Sequence, residues 1–420
     1  MSEKKHKERR RRERAKKEEP KVNKISDVKM AYIMYGKKVF VIPIVIAIIL
    51  GAVIWGIVYN TRKNNAPQET ADNEKEQINY IWGEIKPGKK NANNYTMVIS
   101  ADGVQVPVPT GYTASSASDE NSVNGGFVIY EGTEAVTDSN KWEAQCNRNQ
   151  YVWIPIADVS DMYWRDQTTG KKYGTQYTFT SSSYTKDSTK KYEPQITQYD
   201  IQSTYLTQYL NGMSREDFLM EMEIDFDKML NSVATYGGYY IGRYQTGDLS
   251  QATPVVKKMN TDLVEQTWYT MWKKARKLTG TSAGVQMIWG IQWDETFKWL
   301  IDTGEKTYAE VGKDSTSWGN YRNNSFTYYT NTSKSTATKN SGTSTRIPSG
   351  AYDGANANNV FDLAGNVWDW TLGSGTGDSR YVCGGFCGNY GYNFPAAYRV
   401  NGIPFYSVDG YGLRCALYVK

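Results

Sequence analysis

The chain has 420 residues and is rich in aromatics, with 33 Tyr and 13 Trp, and its formal net charge is +5. Residues 1–38 hold 15 Lys/Arg against 6 Asp/Glu, a net of +9, so the remaining residues sum to −4 and the basic balance belongs to the tail. His6 is the only histidine, which excludes a histidine base or metal ligand anywhere beyond the tail.

The run KKHKERRRRERAKKEE opens the chain. It reads as a solvated cytoplasmic tail touching anionic lipid, and no nucleic-acid partner is expected. Val39 to Tyr59 then gives 21 positions without a charge, enough at helical rise to cross a hydrocarbon core. Pro43 falls in the first turn, where a missing N–H is tolerated, and Trp55 and Tyr59 sit where interfacial aromatics belong. The run is too long for a signal peptide and no A-x-A-like site follows it. Lys37 and Lys38 abut its start, so the positive-inside rule places the N-terminus in the cytoplasm. These features predict a single-pass anchor at the cell membrane. Residues 60–77 read as a polar linker, and 78–420 as one large extracellular domain.

Within that domain, residues 95–110 predict two strands around an Asp-Gly turn. Phe127–Glu131 and Tyr151–Ile156 predict further strands, with Pro155 at an edge or a strand end. Residues 160–205 are Thr/Ser/Tyr/Gln-rich and aperiodic, and read as an insertion. Ser214 is placed to cap a helix in which Phe218, Met222, Phe226 and Leu230 recur every fourth residue, with Gly237-Gly238 as its stop. Thr267–Leu278 and Asp294–Ile301 predict two more amphipathic helices. Residues 313–358 read as loop, and RYVCGG and YGLRCALYV as short antiparallel strands closing the domain. Cys146, Cys383, Cys387 and Cys415 all lie outside the membrane, where disulfides persist; three pairings are open.

Asp362–Trp370, DLAGNVWDW, is the most specific signal. Gly365 permits a sharp turn, and Asp362 and Asp369 offer carboxylate oxygens of the kind Ca²⁺ takes; the alternative is a metal-free turn packed by Trp368 and Trp370. The segment resembles the signature of formylglycine-generating enzymes, also called sulfatase-modifying factors. YVWIPI, GGYYIGRYQTG, GVQMIWGIQWDETFKWL, an R-x-x-x-GG strand and a terminal GLRCAL strand stand around it in that family's order, over about residues 95–420. The resemblance implies an α+β fold, a variant of the C-type lectin fold with much irregular structure. It also implies structural calcium held by the side chains of Asp362 and Asp369 and the carbonyls of Gly365 and Val367. Enzymes of the family bind Cu(I) through two cysteines, whose positions are Asn389 and Phe394 here. Neither is a soft ligand, so copper is not expected. The chain is most similar to the family's non-catalytic bacterial members.

Residues 386–411, FCGNYGYNFPAAYRVNGIPFYSVDGY, replace the catalytic stretch. Tyr gives rigid contact area at low entropy cost, and Asn, Ser and Gly give adaptable hydrogen bonds, as in antibody loops. The expected ligand-binding residues are Asn389, Tyr390, Tyr392, Asn393, Phe394, Tyr398, Asn401, Phe405 and Tyr406, facing a protein or glycan. One alternative is a copper oxidase with Cys383 and Cys387 as a shifted thiol pair. Another is a structural envelope module.

Overall fold

The structure, a computed structural model, describes residues 84–420 except Thr376. The tail 1–38, the span 39–59 and the linker 60–77 lie outside the described residues. No helix among the described residues is long and apolar enough to cross a membrane. The fold is mixed α+β, with many small sheets and seven α-helices among the described residues.

In chain order the elements are β1 (Tyr95–Ile99), β2 (Gln105–Pro109), β3 (Tyr112–Ala114), β4 (Val128–Glu131), α1 (Lys141–Asn147) and β5 (Gln150–Pro155). Residues 160–205 follow with β6 (Tyr163–Arg165), β7 (Lys172–Gly174), β8 (Gln176–Phe179), β9 (Tyr184–Asp187), α2 (Gln198–Ile201) and α3 (Ser203–Leu210). Next come α4 (Arg215–Tyr236), β10 (Gly238–Gly242), α5 (Trp268–Arg276), β11 (Ala283–Met287), α6 (Gly290–Asp302) and α7 (Tyr308–Gly312). The last part holds β12 (Phe326–Tyr329), β13 (Thr336–Lys339), β14 (Asn356–Ala357), β15 (Val360–Phe361), β16 (Trp368–Ser374), β17 (Arg380–Cys383), β18 (Arg399–Gly402), β19 (Tyr411–Leu413) and β20 (Cys415–Val419).

The main sheet has six antiparallel strands in the order β11-β20-β10-β5-β4-β3. Pro155 is the last residue of β5, an interior strand, where it opposes Gly238. A second sheet runs β18-β17-β16-β19. Its last pair, β16 with β19, is parallel, so YGLRCALYV does not form the wholly antiparallel closure its sequence predicts. A single residue, Arg414, separates β19 in one sheet from β20 in the other.

Helix α4 forms as its sequence dictates. The Ser214 hydroxyl accepts from the Asp217 N–H at 3.0 Å, and Gly237 ends the helix at φ 81°. Phe218, Met222, Phe226 and Leu230 make one fully buried stripe in the main core. Helix α6 departs from expectation: it starts at Gly290, so Asp294 and Glu295 lie inside it rather than at its N-terminus. The cause is tertiary. The Glu193 carboxylate accepts from the N–H groups of Gly290 and Ile291 at 2.8 and 2.7 Å, satisfying the first turn from a distant segment. Residues 313–358 are not loop alone, since β12 and β13 form a hairpin there and β14 pairs with β15 just beyond it.

Candidate functional site

Residues 386–411 begin where β17 ends. Gly384 and Gly385 both take positive φ, and a side chain at Gly385 would meet the Tyr321 ring, so the turn requires glycine. The buried Tyr321 hydroxyl bridges the carbonyls of Gly384 and Phe394, each at 2.8 Å, and so clasps the two ends of the first loop. Further anchors come from the same inner side. Ser315 Oγ accepts from Ala396 N at 2.8 Å, Asn323 Oδ1 from Gly391 N at 3.2 Å, and the Asn389 carbonyl from Arg322 N at 2.8 Å. Gly391 lies against the Thr316 backbone, with no room for a Cβ. Later in the segment, Pro404 O accepts from Trp268 N at 3.0 Å. Apart from the exposed Arg322, the residues that hold this backbone are buried or half-buried.

The outer side is different. Tyr390, Tyr392, Tyr398 and Tyr406 are 38, 53, 45 and 53 % exposed, and every other aromatic among the described residues is buried or half-buried. Asn393 and Asn401 are exposed as well. The rings fall into pairs: Tyr390 and Tyr392 with centroids 5.5 Å apart, Phe394 and Tyr398 at 5.4 Å, Phe405 and Tyr406 at 4.5 Å. Three of the nine expected residues are supports rather than presented groups. Asn389 Oδ1 accepts from its own loop at Phe386 N, Phe394 packs edge-on against Trp368, and Phe405 stacks on Tyr205.

Sequence reasoning missed the neighbours that enlarge this surface. Tyr199, Tyr205 and Tyr209 are carried by α2 and α3 and are half-buried. Tyr205 lies face to face with Phe405 at 4.5 Å, and Tyr199 meets Phe405 edge-on at 4.8 Å. The one available signal was the pair Tyr205 and Tyr209, four residues apart on one helix face. A groove of about 260 Å³ runs beside Tyr398, between Tyr177–Phe179 on one side and Pro395–Arg399 on the other. Arg399 is no anion receptor: its guanidinium donates to the carbonyls of Tyr177 and Gly290 and pairs with Asp294. Burial pushes the Asp294 carboxyl up to about 6 although Arg399 opposes this.

The expected calcium ligands converge on a buried turn. Asp362, Gly365 and Asn366 take positive φ. Asp362 Oδ2 accepts from Ser349 Oγ and Gly350 N at 2.9 and 2.7 Å. Asp369 Oδ2 accepts from Gln245 Nε2 and Arg414 Nε at 3.3 and 3.2 Å, and the Val367 carbonyl from the same Gln245 amide at 2.8 Å. The Arg414 guanidinium also reaches the carbonyls of Gly242, Phe361 and Asp362. Asp362 Oδ1 and Asp369 Oδ1 remain buried without a partner. Burial pushes both carboxyls up, Asp369 to about 6. No cluster of three His, Cys, Asp or Glu placed to hold a metal occurs among the described residues. The four cysteines are free and buried. Burial pushes the thiols of Cys383, Cys387 and Cys415 up to about 12, 11 and 12.

No protein-family model matches the chain, and no curated protein matches it. Among solved structures, the crystal structure of CarF aligns with 44% of this chain and 87% of its own, at 12% identity and a TM-score of 0.27. A likeness that slight carries no weight for fold or function.

Proposed function

We infer that the protein is a membrane-anchored, non-catalytic surface protein whose extracellular domain binds a protein or glycan. Its domain is a sulfatase-modifying-factor-like variant of the C-type lectin fold, and the tail is cytoplasmic. The contact surface is formed by Tyr390, Tyr392, Asn393, Tyr398, Asn401 and Tyr406. The observation that supports this reading is the segregation of exposed aromatics. All four exposed rings of the described residues fall within residues 386–411, on a backbone anchored from beneath. Rings with no role in recognition pack inward, as they do elsewhere in this domain, whereas rigid, presented Tyr beside Asn matches the composition of binding loops. The buried, protonated thiols of Cys383 and Cys387 favour binding over copper oxidation, because Cu(I) is held by thiolates.

The test uses full-length protein in nanodiscs on glycan and peptide arrays. A captured ligand should be lost when Tyr390, Tyr392, Tyr398 and Tyr406 are changed to Ala together, with the melting temperature held. Capture that survives the fourfold change sinks the assignment of this surface. Calcium is the ion that the orphaned oxygens of Asp362 and Asp369 would take, as a structural element. Removing it with a chelator should then lower the melting temperature, and an unchanged curve counts against calcium.

A further inference from the structure

A buried pair of side chains joins the 160–205 segment to α4. Lys172 opens β7, and Asp227 lies in the middle of α4. Their side chains are 2 % and 3 % exposed, and Lys172 Nζ stands 2.6 Å from Asp227 Oδ2. Both backbones are held in place. Strand β7 is fixed by its ladder with β6, where Lys172 opposes Arg165, and the Gly174 N–H donates to the Glu193 carbonyl at 2.7 Å. Asp227 stands between Phe226 and Met229, both fully buried in the main core.

An ion pair is the ordinary reading of such a contact, but the site favours further chemistry. Taking two charges out of water is costly, so burial favours the neutral form of each group. Here burial pushes the Lys172 ammonium below its ordinary range and the Asp227 carboxyl up to about 7, although their mutual attraction opposes both shifts. Glu223, one turn before Asp227 on α4, and Arg165 on β6 are the other charged groups that act on both. Glu223 is itself held by Lys171 at 2.7 Å. Asp227 Oδ2 is a buried oxygen without a hydrogen bond, so Nζ comes close to it without being aligned to donate. A desolvated lysine amine is a nucleophile, and a neutral carboxyl is its electrophile.

We propose that Lys172 and Asp227 join in an intramolecular amide cross-link. The neutral Nζ attacks Cγ of the protonated carboxyl. An N–C bond forms, a C–O bond breaks, and the oxygen leaves as water with its own proton and one from the amine. No oxidant, nucleotide or metal enters the balance. Two groups held in contact react as one molecule, and a closed site keeps out the water that would reverse the step. The four cysteines are free, so the amide supplies the covalent tie that disulfides give many exported domains. The cross-link is independent of the tyrosine surface and stands or falls separately.

The experiment is mass spectrometry of the purified full-length protein under denaturing conditions. The intact mass should fall below that of the sequence by one water. A tryptic digest should yield a branched peptide that joins segment 172–186 to segment 216–228, uncut after Lys171 only where the protease is blocked by the branch. Lys172→Arg keeps the positive charge but cannot form the amide, so it should restore the full mass and remove the branched peptide. The parent protein decides the matter even if that variant does not fold. A parent at full mass with the two segments recovered separately overturns the proposal. So does a lost water without the branch, as a succinimide at Asp102-Gly103 would give, or a branch that persists in Lys172→Arg.

Discussion

Residues 160–205 and residues 386–411 are both rich in Tyr, the first beside Thr and Ser and the second beside Asn and Gly, yet they meet the molecule in opposite ways. The first drives three of its five acids, Asp166, Glu193 and Asp200, into the interior. Asp200 is fully buried and pairs with buried Arg380 at 2.6 Å, while the Arg380 guanidinium lies 4.1 Å over the Trp268 ring. Tyr269 donates its hydroxyl to the same carboxylate, and Arg380 also holds the Gln195 carbonyl at 2.8 Å. Glu193 caps α6. The second segment sends main-chain groups inward and tyrosines outward. Richness in Tyr therefore does not separate a strap from a contact surface. What separates them is which way the tyrosines face: each segment has a charged side chain with a buried partner, Asp200 at Arg380 and Arg399 at Asp294, but only the second presents exposed rings.

The contrast can be broken at its strongest point first. Asp200→Ala leaves the Arg380 charge buried and unpaired, and loss of one member of such a pair costs about 3–5 kcal/mol. We expect a large fall in melting temperature, and a fall no greater than that of a surface substitution would show that 160–205 is not a strap. The next effect is pH-dependent. Burial pushes the Glu193 carboxyl up to about 7 from 4.5, so the folded state holds a proton that the unfolded state has released. Its stabilising contribution is complete below about 4.5 and is lost as pH rises to about 7, a change of about 3 kcal/mol at this one group. Asp294 and Arg399 are the charged neighbours that act on it, and Asp294 shifts in the same direction. Glu193→Gln should flatten the decline of stability between those two values in urea unfolding series, and an unchanged slope would remove Glu193 from the account.

The outer segment should answer more gently. Phe394 is wedged between Trp368 and Tyr398, and Phe394→Ala is expected to cost about 2 kcal/mol, below the range for a fully buried Phe. Tyr392→Ala and Tyr406→Ala, at exposed rings, should each stay within about 0.5 kcal/mol of the parent. Chemical unfolding of the three variants measures the difference directly. Equal losses would mean that the tyrosines pack rather than present.

What the sequence makes legible follows the range of the interactions involved. Helix α4 could be read because its cap, its stripe and its stop all lie within its own residues. The turn at Asp362–Trp370 could be read as special because Gly365 and the flanking acids are local. The start of α6 could not, because Glu193 supplies its first hydrogen bonds from 97 residues away. The role of Asp200 was hidden for the same reason, since Arg380 lies 180 residues further on. In the candidate surface, the exposed tyrosines were foreshadowed by composition. Tyr199 and Tyr205 were not, because only the folded chain brings them against Phe405.

Strand β20 sits between β10 and β11 in the main sheet, although it is the last strand of the sequence. During synthesis, β10 and β11 therefore emerge with their inner edges bare and have no partner there until Cys415–Val419 appear. The central sheet stays open until Cys415–Val419 arrive, and both bare strand edges are then covered by one strand.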